Sequence, residues 1–80
     1  MHYVYLIQSG SRPERRYVGR TDDLRTRIKQ HNAGASPHTS EYMPWTVIAY
    51  LAFSNRHQAE AFEKYLKSGS GHAFAPGRLW

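Results

Sequence analysis

Glu63 lies inside the apolar stripe of a helix. Ala59, Phe62 and Leu66 follow i, i+3, i+7 spacing, and at 100° per residue Glu63 falls about 40° from Ala59 and about 60° from Leu66. A carboxylate on that side must be ion-paired, hydrogen-bonded or bound to a metal. It is a structural partner of Arg27 or another arginine, or a metal ligand or catalytic carboxylate at the sheet edge, and the helix pattern favours neither. An earlier helix shows the same irregularity. Its apolar stripe is thin, Leu24 and Ile28, with Arg27 about 60° from Leu24 and His31 about 20° from it. Taken alone, this i, i+4 pair is better explained by an arginine snorkelling along the core edge and a boundary histidine. Tyr5 and Tyr17 stand on the two strands of one hairpin. A phenol can donate or accept a hydrogen bond, and it accepts a proton if its pKa drops from about 10. Each tyrosine by itself suits ordinary strand packing.

The elements that must position these groups follow from local pattern. Tyr3 to Gln8 is aromatic and β-branched and forms a strand. Both of its faces are apolar, so it is central or covered on both sides. A turn cluster, Ser9 to Glu14, leads to a shorter strand over Arg15 to Arg20. Gly19 near its end allows close backbone approach. Thr21 or Asp22 caps a helix that runs to about His31, and Asn32-Ala33-Gly34 stops it. Ala35 to Pro44 is expected as a polar loop. Its hydroxyls at Gly34 to Ser40 could touch a nucleic-acid backbone, but a plain solvent loop is favoured. Trp45 to Phe53 is the third strand. Asn55, with Gln58 at capping-box spacing, opens a helix to about Lys67, and Gly69 ends it. Ser68-Gly69-Ser70-Gly71 follows a helix and lacks a Lys-Ser/Thr, so it is a helix stop, not a phosphate loop. The tail, Ser70 to Trp80, is expected to be irregular, docking through Phe74, Leu79 and Trp80. The fold class is α+β, a small three-stranded antiparallel-type sheet flanked by helices in the order β-β-α-β-α.

Eighty residues make one domain, residues 1–80, too small for a dinucleotide-binding sheet. With no Cys, disulfides and thiolate zinc sites are excluded. No signal peptide is visible, and the uncharged run Trp45 to Phe53 is too short to span a bilayer, so a cytoplasmic protein with no membrane partner is expected. Lys plus Arg is 11 against 6 for Asp plus Glu, a net charge of +5. Seven cations and three anions between Arg12 and Lys29 concentrate that excess, and eight of the eleven cations are Arg, the better fork for phosphate. Such focused charge points to a polyanion, with Arg15, Arg16, Arg20 and Arg25 as its contacts. A basic face kept for solubility explains the charge equally well.

Tyr3-Val4-Tyr5, eleven residues, then Tyr17-Val18-Gly19 resembles the paired signature of GIY-YIG nucleases, with Tyr3 where the first triplet opens on Gly. Arg27, His31 and Glu63 follow in the family's order. Gln30-His31-Asn32-Ala33-Gly34, Pro44-Trp45 and Phe62 to Gly69 resemble its small single-domain branch. The resemblance implies a metal-dependent endonuclease acting on nucleic acid, DNA favoured over RNA, structured or damaged, with weak sequence preference. It implies that Tyr5 is a general base or its activator, and that Tyr17 hydrogen-bonds within the site. Arg27 would contact the scissile phosphate and Glu63 would hold one Mg or Mn ion. His31 matches a histidine of part of the family and rivals Tyr5 as base. Tyr5, Tyr17, Arg27 and Glu63 are expected to share one cleft with His31 at its rim. The alternatives are a catalytically idle binding module, or an interaction domain whose protein partner supplies specificity.

Overall fold

In the computed structural model, which describes residues 1–69, 71 and 75–80, Val4, Tyr5, Leu6 and Ile7 are all at most 1% exposed. An alternating strand hides one face; a strand apolar at every position needs cover on both. The sheet provides it. β1 (His2–Ser9) is the middle strand, flanked by β2 (Arg16–Thr21) and β3 (Trp45–Phe53), antiparallel on both sides in the order β2-β1-β3. α1 (Leu24–Asn32) covers one face and α2 (Arg56–Leu66) the other. The expected β-β-α-β-α order is the observed one. Among the described residues no helix is long and apolar enough to cross a membrane.

Two cores result. Tyr5, Ile7 and Trp45 pack with Leu24 and Ile28 of α1, while Val4 and Leu6 pack with Ala59, Phe62 and Leu66 of α2. On β1–β3 the register slips between Leu6, opposite Ala49, and Ile7, opposite Val47. Ile48 is the extra residue of this bulge, and it turns partly to solvent.

The caps differ in detail from expectation. Asp23, not Thr21 or Asp22, caps α1, its carboxylate accepting from the Thr26 amide at 3.2 Å. Thr21 instead accepts from the Asp23 amide at 3.1 Å, which turns the chain from β2 into the helix. Asn55 caps α2 as expected, accepting from the His57 and Gln58 amides. The stop after α1 is used as expected, with Gly34 in the left-handed region at φ 76°.

The segment between α1 and β3 is not a solvent loop. Ser40–Tyr42 forms a 3₁₀ turn, and Thr39 is fully buried with Ser36 nearly so. Asn32 pins its far end: the Trp45 amide donates to Asn32 Oδ1 at 2.6 Å, and Asn32 Nδ2 donates to the Trp45 carbonyl at 3.1 Å. Polar composition misled here because these hydroxyls and amides bond inward.

The tail is tied down where it is described. The Arg78, Leu79 and Trp80 amides converge on the Ala75 carbonyl, and the Ala75 amide donates to the Gly71 carbonyl at 2.9 Å. Leu79 and Trp80 dock on the α2-side core; Ser70 and Phe74 lie outside the described residues. Gly71 runs against the α2 backbone, where a Cβ would overlap the Tyr65 carbonyl and Leu66 Cα, whereas Gly69 faces open space. Gly71→Ala should therefore cost about 1–3 kcal/mol, the usual price of overpacking, lowering the melting temperature by roughly 5–20 °C. Gly69→Ala should leave it within a few degrees. Thermal unfolding by circular dichroism distinguishes the two, and equal melting temperatures would refute the tight docking of the tail.

Candidate active site

Tyr5 and Gly19 are direct cross-strand partners, and the Tyr5 ring lies over the Gly19 backbone. A Cβ at residue 19 would run into Tyr5 Oη and Cζ and the Tyr17 ring. Only glycine leaves that space. Tyr17 is diagonal to Tyr5 on the same face, opposite Ile7, a spacing within reach of aromatic rings. The ring centroids are 6.3 Å apart.

α1 adds the imidazole. His31 is fully buried, and its Nε2 is 2.8 Å from Tyr5 Oη. On the other side Nδ1 is 2.8 Å from Thr39 Oγ1. Thr39 Oγ1 also lies 3.5 Å from the Ser36 carbonyl, which can only accept. Thr39 thus donates to Ser36 and accepts from Nδ1–H, leaving the Nε2 lone pair to accept from the Tyr5 hydroxyl. This tautomer follows from satisfying the network. The Trp45 indole, donating to the Thr39 carbonyl at 2.8 Å, holds the loop in place. The Tyr17 ring stands edge-on to the imidazole at 5.3 Å. His31 was expected at the rim; it is interior because Thr39 closes over it.

Burial sets the protonation states. It pushes the Tyr5 phenol above its usual value, the neighbouring Tyr17 and Glu63 add to this, and the Arg27 guanidinium opposes it. Burial also pulls the His31 pKa below 6.5, with the Arg27 charge helping. Both groups are neutral near pH 7, joined by one hydrogen bond.

Arg27 and Glu63 act on this pair from different elements. Arg27 sits one turn before His31, half-buried, its Nη1 donating to Gln30 Oε1 at 3.1 Å. Glu63 comes from α2, across the sheet. β2 is the edge strand, so Glu63 overlooks its rim, where Lys67 Nζ holds Glu63 Oε2 at 3.0 Å and stands 5.9 Å from the Tyr17 ring centre. The ion-pair partners of Glu63 are Lys67 and Arg20, whose Nε is 3.6 Å from Oε1; Arg27 is left for other work. Tyr5, Tyr17 and His31 are in contact; Arg27 acts on the Tyr5 phenol as a side-chain hydrogen-bond partner as well as a charge, and Glu63 through its charge.

The basic residues divide. Arg25 is exposed on α1. Arg15 and Arg16 are exposed but stacked, each 4.9 Å from a ring centre, over Tyr42 and Trp80 respectively. Arg20 is partly buried and held between Glu63 and Glu60, the latter at 3.9 Å. Among the described residues no three His, Asp or Glu side chains gather into a metal cage. Glu63 offers one partly exposed carboxylate. That donor set fits a Mg²⁺-like ion that keeps its waters and shares substrate oxygens, not an ion enclosed by protein.

Sequence reading missed Thr39 and Lys67. Thr39 lies in a uniformly polar run, Ser36 to Ser40, with no periodicity to mark an inward side chain. Lys67 had a signal, its i, i+4 spacing from Glu63.

The chain is 37% identical to the structure-specific endonuclease subunit SLX1 homolog of Giardia intestinalis over 65 residues, 76% of this chain and 18% of that protein. It is 34% identical to the UPF0213 protein of Lacticaseibacillus paracasei over 71 residues, 88% of this chain and 75% of that one. It is also 34% identical to the structure-specific endonuclease subunit SLX1 of Candida dubliniensis, covering 80% of this chain and 25% of that protein. The chain thus spans a minor part of the SLX1 proteins and most of the UPF0213 protein. The GIY-YIG catalytic domain matches residues 1–73, so both tyrosines, both site helices and the edge strand between them fall within one family's domain, and the chain belongs to the GIY-YIG nucleases.

Proposed function

We propose that this domain is a metal-dependent endonuclease that hydrolyses phosphodiester bonds in nucleic acid, DNA in preference to RNA, at structured or damaged sites with weak sequence preference. The observation that carries the reading is the buried Tyr5–His31–Thr39 hydrogen-bond chain beside Arg27. An idle binding module needs only its basic face and gains nothing from a neutral imidazole aimed at a phenol. The SLX1 relatives are named structure-specific endonuclease subunits, which favours a structured substrate and a partner protein that supplies specificity.

In this reading the two candidate bases, Tyr5 and His31, act in series, a role their 2.8 Å hydrogen bond supports. Tyr5 Oη accepts a proton from the attacking water while passing its own to His31 Nε2. The resulting imidazolium keeps Nδ1–H on Thr39. A raised phenol pKa then does no harm, because free phenolate is never required. Arg27 adds fixed positive charge where the phosphate develops negative charge, a contribution typically of a few kcal/mol. Glu63 would hold one Mg²⁺ or Mn²⁺, and the chemistry supplied there is neutralisation of the phosphate and leaving oxygen. Tyr17 packs against the imidazole and fixes its orientation. Arg15, Arg16, Arg20 and Arg25 contact backbone phosphates and read shape, not bases.

Tyr5→Phe removes the relay hydroxyl and should lower cleavage about 10²–10⁴-fold in a folded protein. Thr39→Val breaks only the far link and should cost less. Cleavage by native protein should fall as pH drops through the lowered His31 pKa, below 6.5. The stability contributed by neutral His31 is fully present above pH 6.5 and is lost over the same acid range, so circular dichroism at each pH separates the effects. An acid limb above 6.5 would contradict the buried neutral histidine.

Glu63→Gln should fold, since its partners are partly exposed and such pairs contribute about 1 kcal/mol or less. It should retain nucleic-acid binding yet lose cleavage by orders of magnitude, and chelator should abolish cleavage by the native protein. A panel of single-stranded, duplex, branched and RNA substrates, with and without Mg²⁺ or Mn²⁺, checks this. Undiminished cleavage by Glu63→Gln would refute the metal role.

Affinity should fall steeply with salt. Arg25→Glu should weaken binding about equally across sequences, as fluorescence anisotropy at several salt concentrations would show. A salt-independent affinity would count against backbone recognition.

A further inference from the structure

Glu63 already has cations on both oxygens. Lys67 Nζ donates to Oε2 at 3.0 Å, and Arg20 Nε faces Oε1 at 3.6 Å. A divalent ion approaching this carboxylate meets positive charge from two sides. The two cations are not equivalent. Arg20 is 27% exposed, is shared with Glu60, and its Nε is buried without a hydrogen-bond partner. It contributes charge from a fixed place. Lys67 makes the actual hydrogen bond and is half exposed, with its side chain at the end of α2 and its ammonium over the Tyr17 ring. Exposed Glu–Lys pairs at i, i+4 are weak, so Lys67 can exchange partners. A phosphate oxygen entering beside Tyr17 is the natural acceptor for it.

We infer that Lys67 is a phosphate-contacting residue that also serves as the resting counter-cation of Glu63. Without nucleic acid, Lys67 occupies the carboxylate and keeps its affinity for divalent ions low. When a backbone phosphate arrives, Lys67 moves to it, and Glu63 Oε2 is released. Nucleic acid and divalent ion then bind cooperatively, and by linkage each strengthens the other by the same factor. This inference rests on the proposed metal role of Glu63 and adds the residue that makes loading depend on substrate.

The test compares native protein with Lys67→Met, which keeps the apolar stem and removes the charge, and with Lys67→Arg, which keeps the charge. Mn²⁺ binding is measured by electron paramagnetic resonance with no nucleic acid present. Lys67→Met should bind Mn²⁺ about tenfold more tightly, as expected for deleting a unit positive charge a few ångströms away, and Lys67→Arg should stay near the native value. In EDTA, Lys67→Met should bind a DNA duplex more weakly, with a log–log salt slope smaller by about one. A merely structural pair would move neither affinity. Lys67→Gln provides a second charge-removing variant, and melting temperatures confirm folding. Unchanged Mn²⁺ affinity in both charge-removing variants overturns the inference, as does an unchanged duplex affinity. If Glu63→Gln abolishes Mn²⁺ binding while the Lys67 variants change nothing, only this inference falls. If Glu63→Gln changes neither Mn²⁺ binding nor cleavage, the metal reading falls with it.

Discussion

The site exists because residue 19 has no side chain. Gly19 lets the Tyr5 ring lie across the edge strand, and from there the phenol reaches His31. With any larger residue the ring would have to tilt away, and the 2.8 Å contact to the imidazole would open. Everything downstream inherits this approach. His31 is held by Tyr5 on one nitrogen and Thr39 on the other, Tyr17 closes against the pair, and the loop bearing Thr39 is pinned by Trp45 and Asn32. One missing methyl group organises two strands, a helix and a loop.

Charge arrives around that neutral centre from two separate layers. Arg27 belongs to the helix on the tyrosine face, and Glu63 to the helix on the opposite face. A three-stranded sheet makes this practical. β2 is both the hairpin partner of β1 and an edge, so a side chain on α2 can influence the far face without crossing a wide sheet. The small size of the domain is therefore compatible with a site drawn from both layers.

Much of this was legible in the sequence, for identifiable reasons. β1 announced its central place because Val4, Tyr5, Leu6 and Ile7 are apolar without alternation. Asn55 marked the start of α2 through ordinary capping chemistry. Glu63 and His31 stood out because polar residues broke helical stripes. What stayed hidden depends on long-range geometry. Asp23 took the cap because Thr21 was already bent back to its amide. Thr39 looked like solvent loop because nothing local says that a hydroxyl eight residues beyond His31 will turn to face it. Arg20, one of the other arginines allowed as a partner of Glu63, could not be singled out beforehand because its edge-strand position follows from sheet order, which periodicity does not encode.

The double anchoring of the α1–β3 connection bears on how this domain can acquire new sequence. Connections are usually where chains tolerate insertion. Here residues 33–44 carry Thr39 between two pinned ends, so added length would pull apart the support of the imidazole. The β1–β2 turn is different. Its base is tied to the α1–β3 connection, with the Gly10 amide donating to the Pro44 carbonyl at 2.8 Å and the Ser9 hydroxyl to the Tyr42 carbonyl at 2.6 Å, but Ser11, Arg12, Pro13 and Glu14 at its tip are all exposed. A segment grafted at that tip, away from both supports of the imidazole, would leave the Tyr5–His31–Thr39 hydrogen bonds in place, so the hairpin tip is where such a domain can lengthen without disturbing its buried polar centre.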